Sequence, residues 1–320
     1  MESHQRRKFN SSQDWNNFIG SQKPLTGNQL LEFRKACYQE IEKYRGRPLL
    51  IYATKFLDSL PLGAPNFIDL SDLDGFTDLI NSVKKSKSVD ILLHSPGGRP
   101  DATERIVRLL RNAFNDVHFL IPHSAYSAAT MLALSGNSVV LHPNATLGPI
   151  DPQINGIPAR SIKRGFEKVK EKVAKEGPES LPAYIPLIEK YSLDLLELCD
   201  DSEKLAKELV TTWLHQYMFK DQKGVNRKIE DAVKYFSNYD EHLIHSRPLP
   251  LEKLQAFNLK IEIADDKLTE LLWEAYILIN GFFNITPFVK LYETLHGVSW
   301  GKQFQQVIIG QQPLQKVKNP

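Results

Sequence analysis

The chain is poor in cysteine. Two occur in 320 residues, Cys37 and Cys199, far apart and outside any CxxC spacing. That excludes a disulfide framework and supplies no thiolate set for zinc. Reduced thiols in a cytoplasmic protein are the simplest account. An excess of charge is missing too, because 40 Lys and Arg face 38 Asp and Glu, a formal net charge of +2. Non-specific nucleic-acid binding needs a basic stripe to neutralise phosphates, so nucleic acid is not an expected partner. The one basic cluster, Arg6-Arg7-Lys8, reads as a solvated terminus. No apolar stretch follows the N-terminal charges, so no secretory signal is expected. GxGxxG, GK[ST] and HExxH are absent, and no cofactor or metal is implied.

Against this plain background one stretch stands out. Residues 117–141 contain no Asp, Glu, Lys or Arg, a length that could cross a bilayer. His118, Pro122, His123, Ser124, Gly136 and Asn137 interrupt it, however, and a lipid-facing helix would have to satisfy them internally. A second apolar run, 275–289, is broken by Asn, Gly and Pro and is too short to span. No membrane span is expected.

Hydrophobic periodicity divides the uncharged stretch into strand, turn, helix and strand. Strands are predicted at 47–54, 89–95, 117–122 and 138–143, with helices at 28–45, 70–86, 102–114 and 127–136. On the helix at 102–114, Ile106, Leu109, Leu110 and Ala113 share a face. Such alternation predicts an α/β fold with a mostly parallel sheet covered on both faces. Further on, a long helix is expected over roughly 184–219, a polar segment over 221–240, strand, short helix and strand over 242–263, and helix through 266–298.

Three features fall at ends of predicted parallel strands, where clefts of open α/β sheets occur. The first is the "HSPGGRPDA" turn. Gly97 and Gly98 permit unusual backbone conformations that can aim amide N–H groups at an oxyanion, although a plain tight turn is the ordinary explanation of such a pair. The second is Ser127, at a strand-to-helix junction near the free N–H groups of a helix start; helix capping is the ordinary alternative. The third is Asp151 in "LGPIDPQI", held between prolines. It is either part of a rigid loop or an acid in the cleft.

In order, "VDILLHSPGG", a helix and "VHFLIPHSAYSAATMLALSGNSVVLHPNATLGPIDPQI" resemble the serine dehydrogenase proteinase (SDH-type) family, relatives of signal peptide peptidase A and Clp protease with a crotonase-like fold. The resemblance is strong over 47–158 and weaker over 184–265. It implies a soluble serine peptidase acting on a peptide or protein. Ser127 is the implied nucleophile, with the Gly97 and Gly98 amides as the oxyanion turn. Where the family commonly has "SAGT", this chain has Ala129, and the resemblance implies that its methyl group would narrow the site. The resemblance also implies a homo-oligomer. The expected organisation is a helical N-terminal arm (1–44), a Clp/crotonase-like domain (45–265) and a C-terminal helical extension (266–320).

A serine hydroxyl needs a base within reach. The stretch matching the Clp-type histidine and aspartate offers Asp151 and no histidine, and His142 is expected at the far end of a strand leaving the cleft. Membrane-linked relatives use a lysine whose amine is kept neutral by desolvation. Lys190, among Ile188, Tyr191 and Leu195, resembles that lysine and completes an expected Ser–Lys dyad; Lys163 and Lys168 come next. His242 and His245, beside Glu241, read as an ordinary surface turn rather than a metal site. Two other readings stay open. One is a catalytically idle scaffold that binds peptides or proteins; the other is an acyl-CoA-type enzyme on the same fold, with Asp151 as base.

Overall fold

The structure, a computed structural model, describes residues 6–58, 60, 63–189 and 191–304. Helices α1 (Ser12–Ser21) and α2 (Gly27–Arg45) precede strand β1 (Leu49–Thr54). Then α3 (Asp72–Ser82), β2 (Ser88–His94), α4 (Pro100–Ala113) and β3 (Asp116–Ile121) alternate. The site region holds β4 (Ser124–Ala125), α5 (Ala128–Leu134), β5 (Ser138–Leu141), β6 (Thr146–Leu147), β7 (Gln153–Ile154) and β8 (Ile157–Pro158). Helices α6 (Ala159–Glu176), α7 (Leu181–Ile188), α8 (Leu193–Trp213), α9 (Asn226–Ser237), α10 (Tyr239–His242) and α11 (Leu251–Ala256) follow. Strand β9 (Ile261–Ile263), helix α12 (Asp266–Ile285) and strands β10 (Phe288–Glu293) and β11 (Ser299–Gln303) complete the described chain.

Seven strands form one sheet in the order β11-β10-β1-β2-β3-β5-β9. From β1 to β9 every pairing is parallel, as the strand–helix alternation predicts, and β10 and β11 add antiparallel at the β1 edge. Every residue of β1 is buried, and so is every residue of β2 but the first, because helices cover both faces. On one face Leu50, Leu93, Phe119, Ile121 and Val139 pack with α3, α4, α5, α8 and α9. On the other, Ile51, Leu92, Leu120, Val140 and Leu291 pack under α1, α2 and α12. Each such side chain contributes roughly 1.5–3 kcal/mol relative to exposure. No helix among the described residues is long and apolar enough to cross a membrane.

Several expectations need correction. The helix expected over 184–219 is interrupted after α7. Pro186 cannot donate within that helix, and Ser192 starts a new one, its side chain accepting from the Leu195 N–H. The segment 221–240 is not merely polar, since α9 buries Ile229, Ala232, Val233 and Phe236. From 242 the end of α10 and then a turn replace the expected strand. On α4 the buried face is Ile106, Val107 and Leu110, with Ala113 partly buried against the same core; Leu109 is outside it. After Ile285 the chain is sheet, not helix: Ile51 pairs with Glu293 and Ala53 with Leu291. The N-terminal arm is itself a cover of the sheet, with Phe9, Trp15 and Tyr38 buried in the second core.

Candidate active site

Ser127 closes the loop between β4 and α5 with φ 52 and ψ −123. That region is sparsely populated for any residue with a Cβ, so the surroundings must hold it. They do so with a dense backbone network. Ser95 N–H donates to Ser124 O and Tyr126 N–H to Ser95 O (3.2 and 3.1 Å). Ala125 O accepts from Gly148 N–H at 3.1 Å and from the buried Thr130 hydroxyl at 2.8 Å. Gly148 N–H also reaches Thr130 Oγ1 at 3.2 Å. Ala129 N–H and Met131 N–H then start the helix on Tyr126 O and Ser127 O. Although Ser127 occupies the N-cap position, its side chain makes no cap hydrogen bond. A strained serine at a strand-to-helix turn, with its hydroxyl uncommitted to the helix, has the geometry of a nucleophile elbow.

The "PGG" turn lies directly against this elbow. A Cβ on Gly97, at φ 93, would stand 2.4 Å from Tyr126 O and 2.7 Å from Ser127 Cβ; only glycine fits. Ile68 clamps the turn from the other side, donating to Gly97 O at 2.7 Å and accepting from Arg99 N–H at 2.9 Å. The N–H of Gly98 falls between these two bonds and takes part in neither. The N–H of Gly97 is engaged by Ser95 Oγ at 3.2 Å. Of the two amides expected as oxyanion donors, Gly97's is thus committed within the turn. Ala128, the first residue of α5, contributes another N–H with no intrahelical acceptor.

A cleft of about 320 Å³ opens over these groups, lined by Ser127 and Gly98 together with Phe67, Met131, Ile150 and Ala206. His245 lines it as well. Its Nδ1 lies 2.9 Å from Asp151 Oδ1. Asp151 is 2 % exposed, and its Oδ2 has no hydrogen-bond partner among the described residues. Leu243, left-handed at φ 67, ends α10 and turns the chain toward the cleft. Arg247 reinforces that turn by donating to the carbonyls of Glu241 and His242 (both 3.2 Å). Ser127 and His245 share the cleft without a direct hydrogen bond between them.

The structure thus brings Ser127, Gly98 and Asp151 together and adds His245, which the sequence reading set aside as surface. Its neighbour His242 is buried and donates through Nε2 to Tyr235 O at 2.6 Å, a fold contact. Lys163 is paired with Asp200 and Glu203 (2.5 and 3.0 Å), and these partners hold its ammonium above the usual lysine range despite opposing desolvation. Lys168 is exposed on α6. Neither lines the cleft. Lys190 lies outside the described residues. His142 stacks on Trp273 at 5.2 Å, at the same end of the sheet as the cleft and not at its far end.

The mostly parallel sheet between two layers of helices is a ClpP-like α/β architecture. The chain belongs to the SDH-type, ClpP-like serine proteinase family, whose model matches residues 21–278. An uncharacterized protein of Methanocaldococcus jannaschii is 31% identical over 193 residues, 58% of this chain and 66% of that protein. A second uncharacterized protein of the same organism is 33% identical over 102 residues, 32% of this chain and 36% of its own length. The chain therefore covers less than two thirds of either relative. Among solved structures, a mutant of the membrane-bound stomatin-specific protease 1510-N in complex with a substrate peptide aligns at TM-score 0.37 and 18% identity, covering 75% of this chain and 84% of that one. The ClpP catalytic domain of Plasmodium falciparum aligns at 0.38 and 13%, covering 77% and 95%.

Proposed function

We propose that this protein is a peptide-bond hydrolase in which Ser127 is the nucleophile and His245, oriented by Asp151, is the general base. The observation that carries this reading is the 2.9 Å His245–Asp151 contact in the cleft that Ser127 lines. With Nδ1 held by the carboxylate, Nε2 is left to accept the Ser127 proton. The Ser127 Oγ–carbonyl carbon bond forms, and the carbonyl oxygen becomes an oxyanion received by the N–H groups of Gly98 and Ala128. The C–N bond then breaks, with His245 returning its proton to the leaving amine. Water, deprotonated by the same imidazole, releases the acyl group and restores the serine.

Gly98 with Ala128 replaces the pair expected from sequence, since the Gly97 amide is already satisfied. The Ser–Lys dyad with Lys190 is the competing assignment of the base. The free buried cysteines, Cys37 and Cys199, support a reducing, cytoplasmic setting. Self-association belongs to the same reading, supported by Leu181, Ile185 and Leu187 of α7, which stay exposed; light scattering on the purified chain tests it.

Fluorophosphonate labelling tests the chemistry, because Ser127 Oγ would displace fluoride at phosphorus while the base takes its proton. Wild type should label, Ser127→Ala should not, and His245→Gln should label at least about 100-fold more slowly. Lys190→Ala should resemble wild type. Loss on Lys190→Ala with His245→Gln unaffected would restore the lysine dyad. Silence of wild type would favour the peptide-binding scaffold, and stabilisation by coenzyme A would favour an acyl-CoA-type enzyme.

A further inference from the structure

Lys290 is fully buried on β10, a strand paired on both sides, with β1 and β11, that lies beyond the region matched to the family. Its ammonium donates to Asp72 Oδ1 and Oδ2 at 2.7 and 3.0 Å, to Phe67 O at 2.6 Å and to Asp69 Oδ2 at 3.4 Å. Asp72, equally buried, also accepts from the hydroxyls of Tyr52 (3.0 Å) and Tyr292 and from Asp69 N–H at 2.8 Å. One amine therefore grips the chain immediately before and immediately after Ile68. In turn the Ile68 backbone grips Gly97 O and Arg99 N–H, on either side of Gly98. A Cβ on Gly98 would meet Ile68 O at 2.2 Å, so turn and clamp are in direct contact. No helix or long strand holds residues 66–71; the buried ion cluster does that work.

We propose that Lys290 is a positioning residue for the oxyanion site. It fixes the Ile68 backbone and thereby the direction of the Gly98 N–H. The proposal rests on the reading of Gly98 as an oxyanion donor. It makes the C-terminal β10–β11 hairpin part of the active-site apparatus rather than an appendage. A buried charge cluster suits this task because its geometry is set by several directional bonds at once.

The test uses the full chain and a fluorophosphonate probe, read as the saturating labelling rate and the half-saturating concentration over a pH series. Lys290→Met should lower the saturating rate about 100-fold, the size expected when one oxyanion donor is misaimed. The half-saturating concentration and the pH midpoint should stay at the wild-type values. General loosening of the cleft would instead raise the half-saturating concentration. A folded Lys290→Met protein that labels at the wild-type rate, or that changes only in half-saturation, overturns the proposal while leaving Ser127 as nucleophile. If wild type itself does not label, the functional reading beneath it fails instead. Should Lys290→Met not fold by circular dichroism, Asp69→Asn decides. It weakens one of the two grips yet keeps an acceptor for Ser71 N–H, and should slow saturated labelling about 5-fold; an unchanged rate overturns the proposal.

Discussion

Ser127 carries a backbone conformation that a residue with a Cβ adopts only under constraint, and that constraint is measurable. At φ 52 and ψ −123, a non-glycine residue costs about 1–3 kcal/mol. Ser127→Gly removes the steric part of this, against about 0.5–1 kcal/mol of added chain entropy in the unfolded state. Ser127→Ala removes only the hydroxyl and keeps the Cβ, so its strain persists. The Ser127 side chain makes no cap hydrogen bond, so Ser127→Ala should also lose nothing through capping. The glycine variant should therefore be more stable than the alanine variant by about 1 kcal/mol, though both lack the nucleophile. Urea unfolding followed by circular dichroism reads the difference directly. With a denaturant slope near 3 kcal/mol/M, the glycine midpoint should lie about 0.3 M higher. An alanine variant as stable as the glycine one would refute the claim that Ser127 is strained, and with it the main structural argument for an elbow.

Two further outcomes follow from the neighbourhood. His94, buried beside His123, has its pKa lowered to about 3, first by burial and then by the second imidazole. A histidine depressed in the folded state is stabilising while neutral, so its contribution is present above the unfolded value near 6.5 and is lost as pH falls toward 3. From pH 7 to pH 5 this one group should remove about 2 kcal/mol of stability. His94→Leu should reduce that slope, and an unchanged slope contradicts the assignment. Gly97→Ala places a methyl group against Tyr126 O and Ser127 Cβ. It should lose about 3 kcal/mol by urea titration and abolish fluorophosphonate labelling; a stable, labelling variant would show that the turn is not tightly packed on the elbow.

The legible part of the site is the part encoded by neighbours in sequence. Gly97, Gly98 and Ser127 each follow a strand and precede a helix, so local pattern alone places them at one end of a parallel sheet. Asp151, between prolines after a short strand, could be placed there too. His245 could not. It lies 94 positions from Asp151, in a polar turn with nothing periodic about it, and its neighbour His242 has the same local appearance with a purely structural contact. The hidden face of α9 escaped for a related reason, because Ile229, Ala232, Val233 and Phe236 are spaced by charged residues that dilute the apolar signal. The C-terminal strands were masked by the long apolar helix before them, where helix and buried strand look alike by composition.

What the amino-acid order alone determined is the layered architecture: uncharged strands between amphipathic helices must bury both faces of a parallel sheet, and the serine and the glycine pair then emerge at one end of its strands. What only the tertiary structure decided is which groups meet there. Whether an imidazole reaches Asp151, whether Gly97 N–H is already taken by Ser95, and whether Lys290 reaches Phe67 O and Asp72 depend on paths of the chain that converge from distant positions. Periodicity reports the environment of each residue, buried or wet. Hydrogen bonds between remote side chains are set to a few tenths of an ångström by packing, and no local pattern carries that information.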